Sequence, residues 1–363
     1  MTTLFACSLP ISIVAFVYQR RVPARPTSSV PSRTKLGAEA CPPRLRLFSA
    51  TLLGALLLAA APAAATEPFR LVAMGDIPYR TPEDYAPFGR LIGAVNAARP
   101  HLVIHVGDLK GGSTPCTDGA FARMRDFFDT VEAPTLYTPG DNDWTDCHRA
   151  GMDPIERLAA LRRLFFAAPH SLGSRPVPVT RQPDAGGSPY PENALVTMAG
   201  VTVIAAHVVG SNNNLRLRDP QAVAEHAARD RATSDWIRAG FGAARAAGSR
   251  AVVLAMHADP FAQGDGLPAA SNRSGFAGTL TAIADGAARY AGPVLVIHGD
   301  GHRYVFDRPF RDAAGRRLAH VARLEVFGYP TMAAVEVTVT ADRGRPFRLR
   351  TLASLEESGA DLR

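Results

Sequence analysis

The sequence predicts an α/β fold in which two mixed β-sheets pack as a sandwich and helices cover both outer faces. Two observations predict it. Between residues 68 and 298, short apolar runs alternate with amphipathic helical segments, and between 318 and 353 three strands follow one another without a helix. The chain has 363 residues, of which 47% are hydrophobic, and this is enough for one large domain with a sizeable core.

The first half of this region predicts three successive pairs of a strand and a helix. The strands are short apolar runs that end at Gly or a polar residue, which is typical of buried parallel strands. The helices have apolar residues spaced along one face. In order, the predicted elements are a strand at 68–74, a helix at 83–98, a strand at 101–106, a helix at 117–130, a strand at 135–138 and a helix at 154–167.

The second half begins with a proline-rich loop at 169–192 and a hairpin at 194–209 that turns at Ala199-Gly200. The remaining predicted elements are a helix at 219–247, a strand at 251–256, a helix at 277–290, and strands at 293–298, 318–328, 332–340 and 347–353. We expect the first sheet to be a mixed inner sheet and the strands of the tail to complete the second sheet. No internal repeat or domain boundary interrupts the pattern, so residues 66–363 are expected to form a single domain.

The first 65 residues predict a leader. Two arginines precede an apolar run at 47–61, and small residues lead up to Ala65. This order is typical of a secretory signal peptide, so we expect cleavage near Ala65, a periplasmic or secreted location and no membrane span in the mature protein. An uncleaved N-terminal anchor is the alternative. Residues 1–43 fit poorly ahead of a signal, which indicates a translation start placed too far upstream.

The formal charge of +7 does not indicate an acidic macromolecular partner. Residues 1–65 carry seven Lys and Arg residues and one acidic residue, whereas the rest of the chain carries 33 basic and 32 acidic residues. Because the basic excess lies in the leader, no nucleic-acid partner is predicted.

Two cysteines, Cys116 and Cys147, remain after the leader. Each follows a Gly-Asp motif at the end of a predicted strand, and adjacent strands of one sheet would bring the two loops together. In an oxidising compartment such a pair favours a disulfide, and two free thiols are the alternative.

Five polar clusters follow the apolar runs at the ends of predicted strands. Ligands bind outside the carboxyl ends of the strands in open α/β sheets, so these clusters are expected to meet. Carboxylates and imidazoles brought together in this way are typical of a site for two metal ions. The clusters are Gly75-Asp76, Gly107-Asp108, Gly140-Asp141-Asn142-Asp143, His257 and Gly299-Asp300-Gly301-His302.

The order of these clusters resembles the calcineurin-like metallophosphoesterases. That family has an Asp with a His two residues later, then Gly-Asp, then Gly-Asn-His followed by Asp or Glu, then a lone His after a strand, and finally Gly-His-x-His. The likeness spans residues 69–305, and the segments at 101–112 and 137–148 are similar to a bacterial exported subgroup with a GDNDWTDC-type motif. The resemblance implies the two-sheet sandwich of that family and hydrolysis of a phosphate monoester or diester.

The resemblance also implies six metal ligands, which are Asp76, Asp108, Asp141, His257, Asp300 and His302. Asp108 would bridge two ions. Asp76 and His302 would bind the first ion, and Asp141, His257 and Asp300 would bind the second. Asp141 and Asp300 stand where the family has Asn and His. This oxygen-rich set with two imidazoles suits Mn, Fe or Zn.

Two positions depart from the family pattern. Pro78 stands where the family has a His ligand, and the nearby Tyr79 is a candidate replacement because phenolates bind iron in purple acid phosphatases. Asn142 stands where the family has its catalytic His, and an amide cannot donate a proton as an acid. In an alternative alignment Asn142 is the ligand, and Asp141 or Asp143 lies outside the site.

The catalytic residues are therefore predicted to be Asn142, His148 and Lys110, with His207 as an alternative proton donor. The two histidines are candidates because their segments follow motif loops. Lys110 is the only Lys after residue 35, and an ammonium beside Asp108 could bind a phosphate oxygen or neutralise the carboxylates. The alternative is that Lys110 is an ordinary surface residue.

The leading hypothesis is an exported enzyme that hydrolyses a small phosphorylated substrate with a metal-activated hydroxide. A binding protein that kept the scaffold without turnover is the second hypothesis, and Pro78 and Asn142 are its support. Hydrolysis of another bond, such as an amide, would suit the ions but not the resemblance. A G-x-S-x-G motif and a P-loop are both absent from the sequence, which leaves serine hydrolases and NTPases without support.

Overall fold

The computed structural model describes residues 67–182, 190–261 and 274–353. The predicted signal peptide and the region before it lie outside the described residues. The helices are α1 (Tyr85–Ala98), α2 (Asp118–Asp129), α3 (Pro154–Phe165), α4 (Pro220–Ala246) and α5 (Ala277–Ala288). The strands are β1 (Phe69–Met74), β2 (Leu102–His105), β3 (Thr135–Tyr137), β4 (Thr180–Arg181), β5 (Ala194–Met198), β6 (Val201–Ala205), β7 (Ala251–Ala255), β8 (Val294–His298), β9 (Val305–Asp307), β10 (Val321–Glu325), β11 (Ala333–Val339) and β12 (Phe347–Ala353).

The strands form two mixed sheets. The first has the order β12-β11-β1-β2-β3, in which β1, β2 and β3 are parallel and β11 runs antiparallel to β1. The second has the order β4-β5-β6-β7-β8-β10-β9, with a parallel centre of β6, β7, β8 and β10. The predicted fold class, two mixed sheets flanked by helices, is confirmed.

Alternate residues of each central strand serve different layers, as the two-residue period of a strand requires. Leu71 and Ala73 of β1 face the other sheet, whereas Val72 and Met74 pack against α1 and α2. The second sheet divides in the same way, since its inner side chains join the layer between the sheets and its outer ones pack on α4 and α5. The layers are therefore helix, sheet, sheet and helix, and the strands at the centre are apolar on both faces.

The predicted assignment of the tail to one sheet was wrong. Strand β10 joins the second sheet beside β8, whereas β11 and β12 return to the first sheet beside β1. Consequently the motif loops come from both sheets: those after β1, β2 and β3 belong to the first, and those after β7 and β8 to the second. The pairing of strands that are distant in the sequence decides which sheet each tail strand joins. The apolar pattern of a strand does not predict its sheet, because the same pattern suits either one.

Two further features complete the description. The short strands β4 and β9 were not predicted, and both lie at an edge of the second sheet. Within the described part of the chain, no helix is long and apolar enough to cross a membrane.

Candidate metal centre

The five motif loops meet at the carboxyl ends of β1, β2, β3, β7 and β8. Three residues that lead these loops have left-handed backbones, with φ of 56° at Asp76, 57° at Asp108 and 72° at Asp300, and His302 follows with 58°. Such angles are uncommon outside Gly, and Asp tolerates them better than most residues. Strained backbone of this kind is concentrated at functional sites, where the surrounding structure holds it in place.

His257 lies at the centre of the carboxylates. Its Nδ1–H donates to Val106 O at 2.8 Å, which turns the other ring nitrogen towards the motif loops. His257 Nε2 lies 3.1 Å from Asp141 Oδ1, 3.5 Å from Asp108 Oδ1 and 3.8 Å from Asp300 Oδ1. A backbone carbonyl that fixes one ring nitrogen while the other faces carboxylates is the arrangement of a metal-binding imidazole.

A second group surrounds Asp76 on the other side of Asp108. His302 Nε2 lies 3.5 Å from Asp76 Oδ1 and 3.0 Å from the Tyr79 hydroxyl, and its Nδ1–H donates to Tyr329 O. Tyr79 Oη lies 2.5 Å from Asp108 Oδ2. The phenol thus lies beside Asp108 and His302, whereas Pro78 offers no side-chain donor atom.

The charges in this cluster fit cations. Asp76, Asp108 and His257 offer ligand atoms within 4.8 Å of one another, and so do Asp141, His257 and Asp300. Burial, together with the repulsion from Asp141, raises the pKa of Asp300 to about 7 and that of Asp108 well above its usual value. Although burial opposes it, Asp108 and Asp141 raise the pKa of His257. Cations would relieve this repulsion, and a mixed oxygen and imidazole donor set suits Mn, Fe or Zn.

Two glycines permit the close approach of the loops. A Cβ at Gly140 would lie 2.1 Å from Asp108 Oδ1, and one at Gly299 would lie 2.0 Å from Asp76 Oδ2. No side chain can be placed at such distances, so the Gly-Asp pattern reflects packing of one motif against another as well as the turn after each strand.

Asp143 binds backbone rather than the cluster. Its carboxylate accepts from the N–H groups of Asp108, Leu109 and Gly140 at 2.7–2.9 Å and from the Tyr137 hydroxyl at 2.8 Å. These four donors join the loops after β2 and β3. Asp143 lies outside both candidate ligand groups, whereas Asp141 belongs to one of them.

Asn142 lies directly beside the cluster. Its Nδ2 donates to Asp108 Oδ2 at 2.5 Å and to Tyr79 Oη at 3.0 Å, and its backbone N–H donates to Asp108 Oδ1. A Cβ at Gly112 would lie 2.6 Å from Asn142 Oδ1 and 2.9 Å from Arg149 Nη1, so the guanidinium of Arg149 is a neighbour of this amide. Nothing in the sequence drew attention to Arg149.

Lys110 is buried beneath the loop that carries Asn142. Its Nζ donates to Asn142 O at 2.6 Å, and burial lowers its pKa. The ammonium therefore supports the backbone of the motif loop and lies close enough to the carboxylates to offset their charge. It is not an ordinary surface residue.

The two candidate histidines lie in different surroundings. His148 is partly exposed on a 3₁₀ turn, where its Nδ1–H donates to Thr145 O at 2.7 Å. His207 is fully buried, donates from Nδ1 to Glu192 Oε1 at 2.7 Å and packs on the ring of Trp144. Only the first is accessible to a solute from the surface.

A left-handed turn forms one further wall of the cluster. Four consecutive residues, Ser211 to Asn214, have φ between 51° and 59°, a conformation that costs about 1–2 kcal/mol per L-residue and least for Asn. The buried Arg229 holds the turn by donating to Asn213 Oδ1 and Asn213 O. Ser211 Oγ then donates to Asp141 Oδ2 at 2.7 Å. The left-handed conformation of these residues depends on the tertiary contact with Arg229.

The predicted disulfide is confirmed. Cys116 and Cys147 are bonded, with their Cα atoms 5.7 Å apart. The bond joins the loops after β2 and β3, which carry Asp108 and Asp141. It is compatible with an extracellular protein.

Comparisons with known proteins gave distant structural likeness. No protein-family model and no curated protein matches the chain. A dimetal phosphatase from Danio rerio is similar with a TM-score of 0.45 and 10% identity over 80% of this chain and 99% of that one. GAP50, the anchor in the inner membrane complex of Plasmodium, is similar with a TM-score of 0.42 and 12% identity over 79% of this chain and 89% of that one. A purple acid phosphatase from yellow lupin (Lupinus luteus) seeds is similar with a TM-score of 0.44 and 12% identity over 79% of this chain and 54% of that one. These likenesses are too weak to carry an argument about activity.

Proposed function

We propose that the chain is an exported, metal-dependent phosphoesterase of the calcineurin-like type, which hydrolyses a phosphate monoester or diester at a two-metal site. The observation that carries the proposal is that three carboxylates, those of Asp108, Asp141 and Asp300, face His257 Nε2, and that the buried Asp76 lies beside them with His302. Asp108 belongs to the candidate group with Asp76 and His257, and we propose that its carboxylate bridges the ions. Asp76 and His302 would hold the first ion, and Asp141, His257 and Asp300 the second.

The bound ions would lower the pKa of a water molecule and offset charge on the phosphoryl oxygens. The side chains of the chain itself orient the phosphate. The Arg149 guanidinium, which also pairs with Asp146 at 2.9 Å, can donate to a phosphoryl oxygen, and the Lys110 ammonium offsets the negative charge of the carboxylates. Tyr79 would occupy the ligand position that Pro78 leaves open.

Hydrolysis breaks the bond between phosphorus and the ester oxygen. The hydroxyl of a water molecule adds to phosphorus, and the departing ester oxygen needs a proton. Asn142 cannot supply that proton. We assign this role to His148, because it is partly exposed and is joined to the metal-binding loop through Thr145, whose Oγ1 donates to Asp141 O at 3.0 Å. Its Nδ1 is bound to a carbonyl, so Nε2 is the atom that would carry the proton.

The test is the metal content of the purified protein together with hydrolysis of p-nitrophenyl phosphate and bis-p-nitrophenyl phosphate in added Mn, Fe or Zn. We expect two equivalents of metal, and turnover that falls at least a thousand-fold in Asp108→Asn. The matched control is Asp235→Asn, which makes the same change at an exposed position of α4. Equal activity of the Asp108→Asn and wild-type proteins would contradict the proposal.

The second candidate function is metal or phosphate binding without turnover on the same scaffold. It is favoured by Pro78 and by the amide of Asn142, which lies at 2.5 Å from Asp108 where an acid would be needed. One equivalent of metal or none, with no hydrolysis under any metal, would support this function over the enzyme.

A further inference from the structure

The loop after β8 carries two of the candidate ligands on a strained backbone. Asp300 and His302 have φ of 72° and 58°, and Gly301 lies between them. A left-handed backbone is unfavourable for an L-residue, so contacts from outside the loop must hold it in this conformation. Because Asp300 is assigned to one ion and His302 to the other, a shift of this loop would displace a ligand of each ion.

Three hydrogen bonds join the loop to the rest of the centre. The N–H of Gly299 donates to His257 O at 2.9 Å, and that of Asp300 donates to Asp76 Oδ1 at 3.1 Å. The imidazole of His302 donates from Nδ1 to Tyr329 O at 2.8 Å. These bonds fix the loop as far as the ring of His302, and a different residue binds the backbone that follows.

That residue is Glu325, the last residue of β10. It is fully buried and lies in register with His298, the last residue of β8. Its Oε1 accepts from the N–H of Arg303 at 3.0 Å. A Cβ at Gly301 would lie 2.3 Å from the same oxygen, so the carboxylate lies against the loop. The second Gly of Gly299-Asp300-Gly301-His302 therefore makes room for Glu325.

The surroundings of Glu325 give it little value for stability alone. Its Oε2 has no hydrogen-bond partner within the described part of the chain. The nearest cation to Oε1 is Nε of Arg303 at 3.6 Å, and the side chain of Arg303 is 64% exposed. A buried carboxylate with such weak compensation costs free energy, and an apolar residue of the same shape is often tolerated in its place. A role in the neighbouring loop would explain a carboxylate at this position.

We propose that Glu325 is a positioning residue for the candidate metal centre, because it holds the backbone after His302 and so keeps Asp300 and His302 directed at their ions. The inference deepens the proposed function and rests on it, since it concerns the same two ions. Groups that orient metal ligands in this way typically change metal affinity by about 10–100-fold when they are removed.

The test compares two uncharged replacements of similar length. Glu325→Gln keeps an oxygen that can accept from Arg303 N–H, whereas Glu325→Met fills the space without an acceptor. The matched control is Glu336→Met, which removes another buried Glu that pairs with an exposed Arg, Arg350 at 2.8 Å on the neighbouring strand of the first sheet.

Equilibrium dialysis with Mn²⁺ measures the affinity for each ion. We expect Glu325→Met to weaken the binding of both ions by about ten-fold or more, because the loop carries a ligand of each. Glu325→Gln and Glu336→Met should both stay within about three-fold of the wild-type protein. The positioning role is overturned if Glu325→Met binds two ions as tightly as the wild-type protein, or if Glu325→Gln is weakened as much as Glu325→Met.

Hydrogen exchange of the metal-free proteins separates this inference from the proposed function. We expect the amides of residues 299–303 to exchange faster in Glu325→Met than in the wild-type protein, and Glu325→Gln to restore the slow exchange. If the wild-type protein binds no Mn²⁺ but shows this pattern of exchange, the hold of Glu325 on the loop stands and the two-metal enzyme does not. If exchange is the same in all the proteins, the inference is overturned, and two equivalents of bound metal with turnover would still support the phosphoesterase.

Discussion

The disulfide between Cys116 and Cys147 should contribute about 3.5–4 kcal/mol to the free energy of unfolding. The two residues are 31 positions apart, and a cross-link over a loop of that length removes about 12 cal/mol/K of chain entropy from the unfolded state at 25 °C. Both side chains are buried, so the bond closes without exposing them. It also joins the two loops that carry Asp108 and Asp141.

Urea denaturation of the oxidised protein, the reduced protein and the Cys116→Ala/Cys147→Ala variant measures this contribution. We expect the reduced protein and the variant to be less stable by a similar amount, and to show a larger dependence on urea because their unfolded chains are more extended. The reductant should leave the stability of the double variant unchanged. A loss below 1 kcal/mol on reduction would refute the entropic reasoning, because removing the cross-link would then have added little entropy to the unfolded chain.

Three further outcomes are expected. In protein loaded with ferric iron, Tyr79→Phe should abolish a visible phenolate charge-transfer absorption; colour that survives would contradict Tyr79 as a ligand. Burial opposes ionisation of Glu192, but His207 and Arg162 hold its pKa at about 2, below about 4.3 in the unfolded chain. About 3 kcal/mol of stability, present above pH 5, should therefore be lost progressively as the pH falls towards and below 2, and Glu192→Gln should flatten this part of a urea-denaturation profile. Phe128→Ala, in the core between the first sheet and α1 to α3, should cost about 3–5 kcal/mol in the same assay, and a cost below 1 kcal/mol would show that the core is loosely packed.

The sequence was sufficient for the elements and for most of the cluster. Apolar runs of four to seven residues followed by Gly-Asp are local signals, and they identified the strand ends that carry Asp76, Asp108 and Asp300. The amphipathic helices were equally local, and α3 begins at Pro154 as predicted. These features depend on the periods of strand and helix and on turn chemistry, which neighbouring residues determine.

Features that depend on distant pairing could not be predicted in the same way. Either sheet could accept β10, because its apolar pattern fits both. For the motif Gly140-Asp141-Asn142-Asp143 the resemblance implied Asp141 as the ligand but left a second alignment open, and the position of Asp143 depends on four donors that only the folded loops bring to it. The left-handed turn at Ser211 to Asn214 likewise needs Arg229, which lies on α4.

The candidate centre and the sandwich are not independent features of the molecule. His257 belongs to the second sheet, and its Nδ1–H donates to Val106 O at the end of the first sheet, so one imidazole joins the sheets and faces three carboxylates. The donor groups of the first sheet, Asp76, Asp108 and Asp141, and those of the second can meet only if the two sheets keep this alignment. The apolar layer between the sheets therefore fixes the distances within the site, and any core substitution that shifts one sheet against the other should weaken metal binding as well as stability.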